Sequence, residues 1–270
     1  MRHKLFTGLL FFISFLLPLG VFSQNQSHRA FEAGEEVRYK AYYNWGFIWI
    51  HAGNVTFSVE KTGNDDELRF KAYGRSLKSY DWMFKVRDRF QSDARWGDLS
   101  PLHFIRDTYE GGYAVNNEYT FNHSRKQIYT RVDNSKEPYR EDTLSFTPPI
   151  YDVLTAIYHA RNLDFSKYSI DQKIPLSLII DNEIYDLYLR YQGREEIKVR
   201  DGNRYNCIKF SAMLVEGTIF SGGEHLTVWV TDDKNRIPVM VRAKILVGSV
   251  KAVLKSTRNL KHPSVLSDQF

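Results

Sequence analysis

The chain has little of what small exported domains and hydrolytic enzymes usually display. Its 270 residues include one cysteine, Cys207, so no internal disulfide can form and stability must come from a core and a strand ladder. That thiol precedes an alternating run without the surroundings of a nucleophilic cysteine and reads as a packed or simply unpaired side chain. The eight histidines are scattered, with neither the paired helical spacing nor the Cys/His clustering of a zinc site. His159, on the one long helical stretch, has Thr155 four residues before it and reads as a surface or capping side chain. Asp65-Asp66-Glu67 and Asp232-Asp233 lack the spacing of a calcium loop and read as turns. Ser221-Gly222-Gly223 is not a nucleophile elbow, and no phosphate-cradling loop or dinucleotide fingerprint occurs. The residues therefore nominate no catalytic group, metal or cofactor.

Charge of one sign is equally sparse. The formal charge is +5, two of the positive charges being Arg2 and Lys4; the rest interleave with acids or alternate with apolar residues along strands. Without a concentrated basic stripe, no nucleic-acid partner is called for.

Aromatic residues are abundant, with 17 Tyr and 18 Phe, and flat rings suit pleated surfaces. Val37, Tyr39, Ala41 and Tyr43 alternate on one face, Val55, Phe57 and Val59 on the next, and Leu68, Phe70 and Ala72 on a third. Residues 103–110 and 113–121 flank Gly111-Gly112 as a hairpin; a short strand at Ile128 to Val132 precedes a charged loop from Asp133 to Asp142. After residue 165 the pattern repeats: 174–180 and 184–191 about Asp181-Asn182, a further short strand at 195–199, and a closing meander through Ile208, Val228, Val241 and Ala252.

One stretch differs. In Pro148 to Phe165, Ile150, Val153, Leu154, Ile157, Tyr158 and Arg161 recur at helical spacing, with Asp152 in the first turn and Arg161 in the last, where the macrodipole favours each charge. The expected fold is mainly β: a strongly curved antiparallel sheet or open β-barrel with this one principal helix packed against it. The helix is either a plug that fills the curve or a lid over one end.

The first 23 residues join a basic start to an apolar run from Leu5 to Phe22 and read as a cleaved signal peptide, which places the mature protein in the periplasm or otherwise outside. A flexible leader is expected over 24–30, a single β-rich domain over 31–256 with the helix near 150–161, and a polar tail over 257–270. No second apolar run reaches membrane-crossing length.

Candidate binding residues are mostly aromatic: Trp45, Phe47, Trp49, Trp82, Phe84, Tyr109, Tyr113 and Trp229. On the concave side of a curved sheet they would make a cleft for an acyl chain or a glycan; otherwise they are core. Asp88 joins them because it shares a strand face with Phe84, Val86 and Phe90. A carboxylate there either orients a ligand or forms a buried ion pair with Arg106 or Arg242.

Gly34-Glu35 with Tyr39 and Tyr43, Ala52-Gly53, Asp88-Arg89-Phe90 with Ser92 and Asp93, Tyr151-Asp152 with Tyr158 and Arg161, Thr231-Asp232-Asp233, Arg236-Ile237-Pro238, Gly248 and Leu254 together resemble the exported bacterial family known as domain of unknown function 3108. The resemblance spans most of the mature chain and implies an envelope location and a β-rich fold, with no established activity or catalytic residue. At fold level the pattern is also similar to the half-barrel lipoprotein carriers of the periplasm. The leading expectation is a non-enzymatic binding protein for a hydrophobic or amphipathic ligand, with a lipid, a glycan or an envelope protein as partner. The alternatives are an envelope hydrolase acting on lipid or glycan, and a structural protein whose sheet edge recruits a partner.

Overall fold

The computed structural model describes residues 29–45, 48–136, 138–199, 202–216, 221–245 and 248–264, with only the backbone at 45, 214–216 and 221–222. The signal-peptide stretch and Phe47 lie outside the described residues.

Alternation produces fourteen strands there, all in one sheet. Eight precede the helix: β1 (Glu36–Trp45), β2 (Ile48–Lys61), β3 (Glu67–Ser76), β4 (Val86–Arg95), β5 (Pro101–Glu110), β6 (Tyr113–Asn122), β7 (Gln127–Asn134) and β8 (Arg140–Ser145). After α1 (Val153–Arg161) come β9 (Lys173–Ile180), β10 (Glu183–Lys198), β11 (Arg204–Glu216), β12 (Ser221–Thr231), β13 (Pro238–Lys244) and β14 (Ser249–Arg258). Neighbours in sequence pair antiparallel except β8 and β9, and β1 also pairs with β14. The first and last strands therefore meet inside the sheet, while its two edges, β8 and β9, flank the helix.

The sheet curls until those edges approach. Ile179 and Ile184 pack with Phe104, Tyr119, Phe121, Ile128 and Val132, residues from opposite ends of the strand order. Arg106 donates to Asp181 at 2.5 Å, the Asn182 backbone N–H to the Tyr119 hydroxyl at 3.1 Å, and the Asn182 side chain to Asp142 at 2.8 Å. β8 and β9 are not paired with each other, so the barrel stays open. The free side of β9 is instead covered by Tyr151, which donates to the Ser177 carbonyl and accepts from the Ile179 N–H, both at 3.0 Å. Pro175 suits such an edge strand because it has no N–H to leave unpaired. The chain is thus mainly β, a curved antiparallel sheet with one helix against it, as the alternation predicts.

Two segments depart from expectation. The charged loop reaches only to residue 139, because Arg140–Ser145 forms β8 along β7. Five of its six side chains are exposed, so no buried face imposes an alternation, and exposed charges suit an edge. The short strands expected at 184–191 and 195–199 are one strand, β10. Gly193, at φ +91°, lets the chain bulge between Tyr191 and Arg194 without ending the ladder.

The helix is fastened at both ends. Asp152 is its N-cap rather than a first-turn residue: its carboxylate accepts from the Leu154 and Thr155 N–H groups at 2.8 and 3.0 Å, and the Thr155 hydroxyl accepts from the Asp152 N–H at 3.0 Å. Ser92 of β4 donates to the same carboxylate at 2.6 Å. Burial nevertheless outweighs these bonds and pushes Asp152 up to about 6. At the other end the guanidinium of Arg161 meets both oxygens of Glu35 at 2.6 and 2.9 Å and donates to the Asn235 carbonyl at 2.9 Å. Both side chains are buried, so each charge depends on the other.

The margins of the chain join this joint. Ala30, in the expected leader, is buried and its N–H donates to Asn162 at 2.9 Å. In the expected tail, the His262 N–H donates to Asn235 at 2.9 Å and its ring lies 2.8 Å from the Arg29 carbonyl.

Candidate ligand cavities

The two faces of α1 meet different surroundings. Leu154 and Tyr158 enter a cluster with Phe31, Leu68 and Phe70, in which the Tyr158 ring stacks 4.2 Å from Phe70 and lies 4.8 Å from Phe31. Ala156 and Ala160 face Leu176, Leu189, Phe210 and Val228. Two methyl groups cannot reach across the space that a Tyr and a Leu fill. A cavity of about 420 Å³ remains, bordered by Val153, Ala156 and Ile157 of the helix, Leu178, Leu187, Ala212, Leu226, Val241 and Ala252 of the second half, and Tyr39, Val55 and Phe57 of the first. Arg161 also borders it, but its charge is committed to Glu35. The size is that of a small-molecule cleft. The helix is therefore plug and wall at once: Leu154 and Tyr158 fill the curve, while Val153, Ala156, Ile157 and Ala160, with one side of Tyr158, line what stays open.

A second cavity, about 660 Å³, lies toward the end of the sheet where β1 turns into β2. Its border includes Ala41, Tyr43, Ile50, Val55, Met83, Phe84, Val86 and Val250, together with Asp88 and Glu110. Val55 borders both cavities. Along β1, Tyr39 lines the first and Ala41 and Tyr43 the second; along β14, Ala252 lines the first and Val250 the second. Residues two apart share a strand face, so the cavities are successive lengths of one inner surface.

Asp88 and Glu110 supply the polarity of the outer length. Asp88 stands opposite Thr108 and Glu110 opposite Val86, which makes the acids diagonal neighbours on adjacent strands, with backbones about 7–8 Å apart. Burial, then the charge of Glu110, pushes Asp88 up to about 7 against the pull of Arg106 and the Tyr109 N–H. Glu110 is likewise raised by burial against Arg106. The ion pair expected for Asp88 does not form: Arg106 is held by Asp181, and Arg242 lies over the Trp229 ring, 5.8 Å from its centroid. Asp88 Oδ1 is buried without a hydrogen-bond partner. Such a pair can accept from a donor-bearing head group or exchange a proton near neutral pH.

Of the expected binding residues, Phe84 and Asp88 line this outer cavity. Trp82 projects outward and is 83 % exposed. Trp49 lies under the Lys251 ammonium, 4.1 Å from the ring centroid, Tyr109 under Lys85 at 5.4 Å and Tyr113 under Lys136 at 4.9 Å. Trp229 is buried in a cluster with Tyr205, Cys207, Val239 and Val253, and its indole N–H donates to Glu195. Phe47 and the Trp45 side chain lie outside the described residues. Glu110 escaped notice because it sits beside the Gly-Gly turn. The aliphatic lining escaped because Leu178, Leu226 and Val241 look like any strand core, and only the alanines opposite them leave room.

The remaining chemistry is closed off. Burial pushes the Cys207 thiol up to about 12, which makes it inert at neutral pH. His159 stacks on Tyr151 with ring centroids 4.6 Å apart, and burial lowers its pKa. No group of acidic, His and Cys side chains able to hold a metal occurs among the described residues, nor does a helix long and apolar enough to cross a membrane.

An open, barrel-like sheet around an apolar hollow is the class these features define. The crystal structure of a beta-barrel-like protein of domain of unknown function DUF1849 from Brucella abortus is similar, with a TM-score of 0.52 and 9% sequence identity over 83% of this chain and 96% of that one. At that identity the likeness is one of fold. The chain itself belongs to the DUF3108 family of proteins of unknown function, whose model matches residues 38–255. No curated protein matches it.

Proposed function

We propose that the protein is an exported envelope protein that binds or carries a hydrophobic or amphipathic molecule, and that it is not an enzyme. The observation that carries this reading is the cavity left open between Ala156 and Ala160 of the helix and the apolar inner face of β9–β14. An acyl chain would find almost no polar group to desolvate along it. Its continuation past Val55 to Asp88 and Glu110 suits an amphipath whose head brings hydrogen-bond donors to the unpartnered carboxylate oxygen. The basic and apolar start of the sequence supports export. Native mass spectrometry and organic extraction of protein isolated from its own envelope should reveal a co-purifying apolar or amphipathic molecule. Consistently empty protein that takes up no chain-bearing probe would defeat the reading.

A second reading is favoured by one observation, the approach of two protonatable carboxyls in an open cavity. It is an acid/base hydrolase of lipid or glycan. Asp88→Asn separates the two, because it would abolish hydrolysis while leaving an acyl chain its cavity beneath α1.

A further inference from the structure

Large apolar side chains exposed on this protein are not scattered. Of nine among the described residues, Ile48, Trp82, Met83, Phe84, Tyr109 and Tyr139 lie in or beside the connections β1–β2, β3–β4, β5–β6 and β7–β8, which antiparallel pairing places at one end of the barrel. Four of them form a rim. Trp82 is 83 % exposed and Ile48 67 %, and beside them Met83 and Phe84 are also exposed. Met83 and Phe84 border the outer cavity as well, so the rim adjoins its mouth.

The rim is held rather than loose. Lys78–Tyr80 forms a short 3₁₀ turn; the Met83 and Phe84 N–H groups donate to the Tyr80 carbonyl at 3.0 and 3.1 Å. Asp81 is tied to Arg87 at 2.5 Å. The Phe84 ring lies so close over Gly111, at φ +58°, that a Cβ there would come within 2.3 Å of it. With the loop anchored on both sides, Trp82 still points away from the protein, where a fully exposed indole has nothing to gain from water.

The exposed charges of this loop share one sign, while Asp88 and Glu110 of the adjoining cavity are half-buried. From Lys78 to Arg87 the sequence reads KSYDWMFKVR, in which Lys78, Lys85 and Arg87 face a single acid, Asp81, already paired with Arg87. Lys78 and Lys85 are both exposed and flank the apolar triplet. Aromatic and aliphatic tips between lysines match the two layers of a bilayer surface: rings at the level of the acyl boundary, ammonium groups at anionic head groups.

We propose that this rim, built by Ile48 and Trp82–Phe84 between Lys78 and Lys85, docks the protein on the surface of an anionic phospholipid bilayer with the mouth of the outer cavity facing the lipid. The inference does not need a bound ligand. Docking would also bring the mouth to the phase in which apolar molecules reside, so that they need not cross water to enter.

The test is vesicle co-sedimentation of protein beginning at Gln24, which keeps every described residue and removes the apolar leader as a competing anchor. Vesicles of phosphatidylethanolamine with phosphatidylglycerol are compared with phosphatidylcholine alone, and brominated acyl chains report on Trp82 by quenching. Binding to the anionic vesicles is expected, with quenching that falls sharply in Trp82→Ser, the other four tryptophans supplying what remains. The triple variant Trp82→Ser/Met83→Ser/Phe84→Ser should lose binding by at least about tenfold, and Lys78→Glu/Lys85→Glu by about fivefold or more per residue at low salt. Should the triple variant fold poorly by circular dichroism, the charge-reversal pair and the quenching carry the test. Wild-type protein that stays in the supernatant overturns the proposal, as does a triple variant that binds undiminished. A dimer that falls apart in the triple variant while vesicles are ignored would overturn it too, and assign the rim to a second copy of the chain. Since each of these results can occur whether or not a molecule fills the cavities, failure here leaves the ligand-binding reading to its own experiment.

Discussion

The two faces of α1 show how one short helix can fill the space on one of its sides and leave a cavity on the other. Toward the first half it presents Leu154 and Tyr158, and Tyr158 completes an aromatic cluster with Phe31 and Phe70. Toward the second it presents Ala156 and Ala160, and a cavity of about 420 Å³ persists. The strands opposite are apolar in both directions, so hydrophobicity does not distinguish the two sides of the helix. Side-chain volume does, and so does the rigidity with which the helix is held, since a free helix would slide into the empty side. The buried Glu35–Arg161 pair and the Asp152 cap, with its bond from Ser92, prevent that collapse.

Breaking the anchor should have the largest effect. Arg161→Met leaves the Glu35 carboxylate buried without its cation and should lower the unfolding free energy by about 3–5 kcal/mol in urea titrations. Glu35→Gln/Arg161→Met should recover much of that loss, because neither charge is then stranded; a double variant no better than the single would mean that packing, not charge, holds this end. On the filled face, Tyr158→Ala removes a buried ring from a cluster that cannot close over the gap, at a cost of about 3–4 kcal/mol.

Asp88 probes the outer cavity through pH. Its folded value near 7 lies above the unfolded value of about 3.9. The folded state therefore holds the proton more tightly, and this carboxyl's contribution to stability falls as pH rises from about 4 to 7 and stays low beyond. Asp88→Asn should match the wild type near pH 4 and exceed it at pH 8 by about 1 kcal/mol, a figure already reduced for partial exposure. Urea midpoints at the two pH values decide it; equal midpoints at pH 8 would show that Asp88 has found a partner in solution. The smallest effect on stability belongs to the hollow itself. Ala156→Leu inserts three carbons into existing space and should change stability by less than about 1 kcal/mol in either direction, while reducing the amount of apolar molecule recovered on extraction. A loss as large as that of Tyr158→Ala would mean that the two sides are equally packed.

How much of this was legible in the sequence depended on whether a residue's pattern was local. Alternation located nearly every strand, since one face of each is buried, and the family resemblance rested on residues that now have physical roles. Glu35 and Arg161 form the buried pair, Ser92 and Asp152 the cap contact, and Asp233 accepts from the Asn235 and Arg236 N–H groups in the turn before β13. The edge strand β8 escaped because an exposed strand has no buried face to alternate. The aromatic excess pointed to a cleft, yet the inner cavity is lined mainly by aliphatic side chains, and much of the aromatic signal went to packed clusters and the exposed rim. A cavity is what residues fail to fill across a long-range fold, and no window of sequence records that.

The pairing of β1 with β14 also governs the order of assembly. The first strand cannot gain its second neighbour until β14 exists, and closing a loop of that span is slow. A chain that has emerged only as far as β13 has β1 paired with β2 on one side alone and lacks the segment whose His262 meets Asn235 and Arg29 beside the helix anchor. The native sheet is thus withheld until β14 has emerged, thirteen strands after the one it joins.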